Sequence, residues 1–202
     1  TCKSGFAFGS YGWAPGGASR WWLHHSLEAL SQKLRACGLP LFLRAGQSAQ
    51  VLLELARKHR MDSVYCDALY EPALRARDEV VRAQLNGGGI RFKTFRCSVL
   101  VEPHEVVNAA GAPFRVFTPY WRKVKDRDFG ERLRRTPQTL PRAAKLESGD
   151  AASLKLLDRV DWAAGLRETW IPGEDGAQRA LKRFIDRAIG AYAAVRDVPS
   201  IA

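Results

Sequence analysis

The segment SVYCDALYEPALRARDEVVRAQLNGGGIRFKTFRC, residues 63–97, decides the fold. Its first part, residues 63–68, and its last part, residues 90–97, are short runs rich in apolar, β-branched and aromatic side chains, which predicts two strands. Between them Pro72 opens a helix at a favoured position, and the three glycines at 87–89 end it. Two strands separated by one helix predict a parallel pair joined by a right-handed crossover.

The same alternation extends toward the amino terminus. Residues 19–37 predict a helix because leucines recur on one face, with Ser19 as a possible N-cap and Gly38 as the stop. Residues 39–44, LPLFLR, are a continuous apolar run, which predicts a strand buried on both faces. Residues 47–60 predict the next helix. Strands that alternate with helices predict an α/β fold with a parallel sheet.

The carboxyl-terminal half changes character. Residues 98–116 predict a loop, and residues 119–134 predict a helix with a proline in its first turn. Residues 135–150 carry two prolines and mixed charge, which indicates a linker, and residues 151–175 are only loosely patterned. Residues 176–195 predict an amphipathic helix. Its apolar stripe comprises Ala180, Leu181, Phe184, Ile185, Ala188 and Ile189.

Charge and cysteine content narrow the function class. The formal net charge of +11 favours a polyanionic partner such as DNA, although an arginine-rich surface alone would give the same value. No run approaches the roughly 18 apolar residues of a membrane span, so no membrane segment is predicted. The widely spaced cysteines, without a C-x-x-C pair, indicate reduced thiols in the cytosol. They are Cys2, Cys37, Cys66 and Cys97.

No pattern in the chain is sufficient for catalysis. The glycines at 87–89 follow a helix, which is the wrong place for a phosphate-binding loop. Trp21 and Trp22 suit either a stacking site or packing against the sheet, and packing is the favoured interpretation. The histidines have no metal-ligand spacing with cysteines or acids, which predicts no metal site. They are His24, His25, His59 and His104.

Five segments, in order along the chain, resemble the class I cyclobutane pyrimidine dimer photolyases of the photolyase/cryptochrome family. They include the family's Y-E-P-x-x-R-x-R-D and V-F-T-P-F/Y motifs and its entry to the flavin-binding domain. The segments are GGASRWWLHHSL (16–27), YEPALRARD (70–78), FRVFTPYWR (114–122), DWAAGLRETWIPGEDGAQRAL (161–181) and YAAVRDVPSIA (192–202).

The resemblance implies a domain organisation. Residues 1–134 would form a Rossmann-like α/β antenna domain, incomplete at its amino terminus because the family's opening W-F-R-x-D-L-R strand is missing. Residues 135–175 would be the linker, and residues 176–202 the start of an all-helical FAD-binding domain. The chain is therefore expected to be a fragment without catalytic residues, inactive by itself.

The resemblance also implies an activity and two site residues. In the family, light-excited reduced FAD donates an electron to a flipped-out pyrimidine dimer in DNA, which then splits. Tyr192 matches the family tyrosine that contacts FAD, and Arg196 matches an arginine that contacts the DNA substrate. The whole protein is expected to be a monomer in the bacterial cytoplasm, with DNA containing pyrimidine dimers as its partner.

The antenna chromophore and the function both retain alternatives. Ala73 and Leu74 stand where folate-binding members carry Asn-Glu, which disfavours a folate held by that carboxylate. The antenna is therefore unknown among folate, flavin and deazaflavin, and a flavin, a deazaflavin or no antenna are the interpretations that this departure leaves open. A cryptochrome-type blue-light sensor is the alternative to a repair enzyme. A third hypothesis is an inactive chain that keeps only an antenna-binding α/β domain.

Overall fold

The computed structural model divides into two compact units. Of the described residues, those from 46 to 128 lie in the first unit and all the others in the second. This grouping places the first helix of the chain with the carboxyl-terminal helices. The division into family domains at 134 and 175 stays a prediction. The described residues are 15–96, 98–128 and 150–198.

A parallel strand pair organises the first unit. Strand β1, Ser63–Asp67, pairs with strand β2, Arg91–Phe95, over five residues in register. Helix α3, Pro72–Gly87, connects them. Parallel strands require a long connection because the chain must return to the same end of the sheet. The predicted strand–helix–strand unit and the α/β fold class are confirmed.

Apolar side chains of two helices and the sheet form the core of this unit. Helix α2, Ser48–Lys58, packs beside α3. Leu85 of α3 is fully buried. Burying a leucine of this kind stabilises the fold by about 1.5–3 kcal/mol relative to leaving it exposed. The buried residues of the core are Ala49, Ala56, Val81, Leu85, Ile90 and Phe92.

A smaller cluster follows β2. The chain makes a short 3₁₀ helix, Pro103–Glu105, and then helix α4, Phe117–Val124. Val124 is buried with valines of the preceding loop. The predicted helix at 119–134 is wrong for residues 125–128, which are turn and loop. All four of these residues are charged, so they offer no apolar face that could pack against the core. Residues 129–134 and residues 135–149 of the predicted linker lie outside the described residues.

The second unit is helical. Its elements are α1, Gly17–Ala36; a 3₁₀ helix, Ala151–Leu154; α5, Ala164–Thr169; α6, Glu174–Arg187; and α7, Tyr192–Val195. In the part of the chain that the structure describes, no helix has the length and apolar character needed to cross a membrane.

Three local predictions for this unit need correction. Helix α1 begins two residues earlier than expected, so its N-cap is Gly16, and Ser19 lies inside the first turn. Residues 39–44 have no regular secondary structure apart from a single bridge at Leu43. Their leucines and Phe42 are only half-buried, which falls short of the two-sided burial that favoured a strand. The predicted helix at 176–195 is interrupted by a turn at 188–191, which separates α6 from α7.

The stability of the first unit can be tested with two adjacent valines on α3. Val81 is 2% exposed in the core, whereas Val80 is 54% exposed. We expect Val81→Ala to lower the free energy of unfolding by about 2 kcal/mol, because it leaves a cavity. Val80→Ala makes the same change in helix propensity on the exposed side of α3. Its free energy of unfolding should therefore stay within about 0.5 kcal/mol of the wild type. Urea unfolding would measure the free energy of unfolding of both variants. Equal losses in the two variants would contradict the placement of Val81 in the core.

Candidate functional site: the exposed helical face of α6 and α7

Helix α6 presents its apolar stripe to solvent within its own unit. Leu181, Ile185 and Ile189 are all at least half exposed, and Phe184 is half-buried. Gly173, at φ +96°, caps the start of α6, and a side chain there would meet the Cβ of Ala29 on α1. A backbone in this conformation strongly favours glycine. The glycine thus permits the close approach of α6 to α1.

The two site residues taken from the resemblance lie together at the end of this face. Tyr192 is the first residue of α7, and its ring packs edge-on against that of Phe184, with centroids 5.4 Å apart. The backbone N–H of Arg196 donates to the carbonyl oxygen of Tyr192 at 3.0 Å. The two residues therefore share one helical turn. Tyr192 is 48% exposed, so one part of its ring is open to a ligand.

Arg196 carries an exposed guanidinium group. Its Nε atom lies 3.5 Å from Oδ2 of Asp197, and both side chains are largely exposed. Surface ion pairs of this kind contribute little, because water and salt screen them. A phosphate, which matches the planar guanidinium fork, could compete with this carboxylate. The turn thus combines an aromatic ring and an exposed cation.

The Y-E-P segment positions α3 and the loop after β2. The hydroxyl of Tyr70 donates to Oε1 of Glu102 at 2.8 Å, which links the start of α3 to that loop. Asp78, further along α3, is buried and accepts two hydrogen bonds from its neighbour Arg77, at 3.0 and 2.7 Å. The polar groups of these two pairs are thus partnered within the first unit.

The V-F-T-P segment forms α4. The rings of Phe117 and Trp121 are stacked, with centroids 6.1 Å apart and planes 10° from parallel, and both are exposed. On the other side of the helix Val124 enters the small core. Just beyond α4, Arg127 pairs with Glu105 at 3.5 Å, and Arg96 pairs with the same carboxylate at 2.7 Å. One carboxylate therefore ties the end of β2 to the end of α4.

In the second unit, α1 and the segment at 156–163 border a cleft of about 220 Å³. Trp21 and Trp162 supply aromatic walls. Arg20 donates to Oδ1 of Asp158 at 2.6 Å, and Trp162 donates to its other oxygen at 3.1 Å. Trp21 is 4% exposed although it borders this cleft, and its packing against the sheet stays a prediction. Trp22 is more exposed, and its ring meets that of Trp170 edge-on at 6.0 Å.

One cluster of polar side chains was not anticipated. His24, His25 and Glu28 on α1 bring two imidazoles and a carboxylate together, with ligand atoms within 4.8 Å of one another. The signal was present in the sequence as His-x-x-x-Glu, because residues four apart share one helix face. The expected absence of metal-ligand spacing among the histidines did not take Glu28 into account.

Comparison with known proteins identifies the family. The family model described as DNA photolyase matches residues 6–141, which is more than half of the chain. The chain therefore belongs to the photolyase/cryptochrome family, and its α/β fold is that of the photolyase amino-terminal domain.

Individual relatives agree with this assignment. The chain is 35% identical to a deoxyribodipyrimidine photo-lyase of Agrobacterium fabrum over 92% of this chain and 39% of the relative. It is 32% identical to cryptochrome-2 of Arabidopsis thaliana, over 89% of this chain and 30% of the relative. A crystal structure of a bacterial class III photolyase from Agrobacterium tumefaciens has a TM-score of 0.84 at 35% identity, covering 91% of this chain and 39% of that one. The chain thus spans about two fifths of these photolyases.

The ion pair at Asp158 predicts a pH-dependent stability of the second unit. Hydrogen bonds from Trp162 and from Arg20 hold the pKa of Asp158 below its ordinary value of 3.8. The native state therefore releases this proton more readily than the unfolded state. The stabilisation of the fold by the ionised Asp158 carboxylate is thus present above the ordinary pKa and is lost as the pH falls below it. We expect Asp158→Asn to lower the urea midpoint at pH 6 but to match the wild type well below pH 3.8.

The control for this prediction is Glu168→Gln on α5, an exposed carboxylate in the same unit. Its urea midpoint should follow that of the wild type across the whole pH range. A difference between Asp158→Asn and the wild type that persisted unchanged into strong acid would contradict the assigned cause, since it would not depend on the carboxylate charge.

Proposed function

We propose that this chain is part of a light-driven, FAD-dependent deoxyribodipyrimidine photolyase that splits pyrimidine dimers in DNA. One observation carries the proposal above the others: the similarity to a bacterial class III photolyase at 35% identity and a TM-score of 0.84 over 91% of the chain. The similarity to the Agrobacterium fabrum photo-lyase covers nearly the same residues.

The residues of α7 fit an FAD group. FAD would supply light absorption and the electron that splits the dimer. Tyr192 offers a half-exposed aromatic ring, and its contact with Phe184 holds that ring in place. Aromatic faces pack well against planar heterocycles. In this proposal the role of Tyr192 is to orient the flavin.

Arg196 fits the DNA substrate. It is exposed one turn beyond Tyr192, and its ion pair with Asp197 is screened by solvent. The net charge of +11 favours association with a polyanion. In this proposal Arg196 binds a phosphate near the dimer and so places the lesion relative to the flavin.

Several finer points stay predictions. Class I membership was expected from the motifs, whereas the likeness to a class III structure supports class III; we therefore propose the activity without a class. The antenna remains open among folate, flavin and deazaflavin. The cytoplasmic location, the monomeric state, the domain boundaries at 134 and 175 and the inactivity of this chain by itself are also proposals.

Light sensing is the second candidate function. The 32% identity to cryptochrome-2 of Arabidopsis thaliana favours it. That relative is less similar than the photolyase of Agrobacterium fabrum, so repair is the function we favour. Repair requires affinity for damaged DNA, a property that binding of a dimer-containing duplex measures.

The DNA role of Arg196 predicts a charge-dependent loss of affinity. We expect Arg196→Ala to weaken binding of a duplex oligonucleotide with one thymine dimer and to reduce the salt slope of log K by about 0.9, because one phosphate contact is lost. Fluorescence anisotropy at several salt concentrations would measure this. The control is Arg115→Ala, which removes the same charge from an exposed position in the first unit. Equal losses in both variants would contradict a specific role.

The FAD role of Tyr192 predicts a dependence on the ring rather than on the hydroxyl. We expect Tyr192→Ala to weaken FAD binding by roughly two- to tenfold, since an aromatic contact contributes about 0.5–1.5 kcal/mol. Tyr192→Phe keeps the ring and should bind nearly as the wild type does. Titration of FAD fluorescence would measure both, with Trp121→Ala as an exposed aromatic control in the first unit. The assignment of Tyr192 would be wrong if Trp121→Ala had the same effect.

A further inference from the structure

Two imidazoles and one carboxylate converge on a single turn of α1. Nε2 of His24 lies 3.3 Å from Oε1 of Glu28, and Nδ1 of His25 lies 2.9 Å from Oε2 of the same residue. Helix geometry produces this arrangement, because Glu28 is four residues after His24 and three after His25. The two imidazole rings are nearly perpendicular, at 89°, with centroids 5.0 Å apart. Three nitrogen and oxygen donors thus point to one small region.

The surroundings hold the imidazoles in place. His24 is 6% exposed, and the ring of Trp21 packs against that of His25 at a centroid distance of 4.7 Å. The side chain of Glu28 is about half exposed, so water reaches the group from this side. In the described part of the chain the buried Nδ1 of His24 has no hydrogen-bond partner. The polar contact of His24 is therefore made through Nε2, the atom that faces Glu28.

We propose that His24, His25 and Glu28 form a binding site for a divalent transition-metal ion, zinc in the first place. Neutral imidazole nitrogens and a carboxylate oxygen are ligands that Zn²⁺ accepts, and hard cations such as Mg²⁺ prefer all-oxygen sets. The three ligand atoms lie within 4.8 Å of one another. This site is separate from the FAD and DNA roles proposed for Tyr192 and Arg196.

The distances suit a four-coordinate ion. With metal–ligand bonds of about 2.0–2.1 Å, neighbouring ligands of a tetrahedral site lie about 3.3 Å apart. Nε2 of His24 already lies at this distance, 3.3 Å, from Oε1 of Glu28, and Nδ1 of His25 lies 2.9 Å from the other oxygen, Oε2. Three protein ligands leave one position for water on the exposed side of Glu28. Ligation through Nε2 of His24 would place the proton of that ring on Nδ1.

The test is a metal titration of the full 202-residue chain, free of any histidine tag and kept reduced. Zn²⁺ would be titrated against a chromophoric chelator, and Co²⁺ would be added separately to record its visible d–d absorption. We expect one equivalent of metal per chain, with Co²⁺ bands typical of four-coordination. Glu28→Gln and His25→Gln should each weaken binding by at least about tenfold, the size of effect seen when metal sites are disturbed.

Matched controls distinguish this site from other donors. Glu54→Gln replaces an exposed helix glutamate on α2, and His104→Gln replaces an exposed histidine; both should bind as the wild type does. Circular dichroism would verify that each variant keeps its helices. Absence of stoichiometric binding, or binding that is equally strong in Glu28→Gln and in Glu54→Gln, would overturn the proposal. The second result would assign the metal to thiols or other surface groups.

Discussion

Parallel pairing of β1 with β2 is the constraint on which the first unit depends. Two parallel strands cannot be joined by a tight turn, so the chain must return along the sheet, and α3 makes this return. The return places Val81 and Leu85 in the core beside α2. The same helix begins next to Tyr70, whose hydrogen bond to Glu102 fixes the loop after β2. The pairing of β1 with β2 thus determines where α2, α3 and the loop after β2 lie.

The sequence predicted those elements that have their own periodicity and their own stops. Strands β1 and β2 and helix α3 are bounded by glycine, proline and apolar alternation, which are local signals. Residues 39–44 carry a single bridge, at Leu43, rather than a strand, because a short apolar run reports burial and does not by itself specify a strand. The helix at 119–134 was overextended because charged residues have good helix propensity, although packing decides where a helix ends.

The candidate sites were predictable to different degrees. Tyr192 and Arg196 share a turn, as their spacing indicated, but only the family resemblance gave them roles. The metal cluster was visible in the spacing of His24 and Glu28, yet spacing alone does not show that His25 turns toward the same carboxylate. The apolar stripe of α6 illustrates a related limit. Periodicity identifies which side chains share a face, but it does not show whether that face is buried. In this unit the face is exposed.

Glu105 has a consequence for how the chain can vary. Its carboxylate contacts Arg96 with one oxygen and Arg127 with the other, so three separate segments meet at one anion. Loss of either arginine would leave a normal ion pair, whereas loss of the glutamate would leave two cations facing each other without compensation. The three positions are therefore coupled, and loss of the glutamate should disturb this junction more than loss of either arginine.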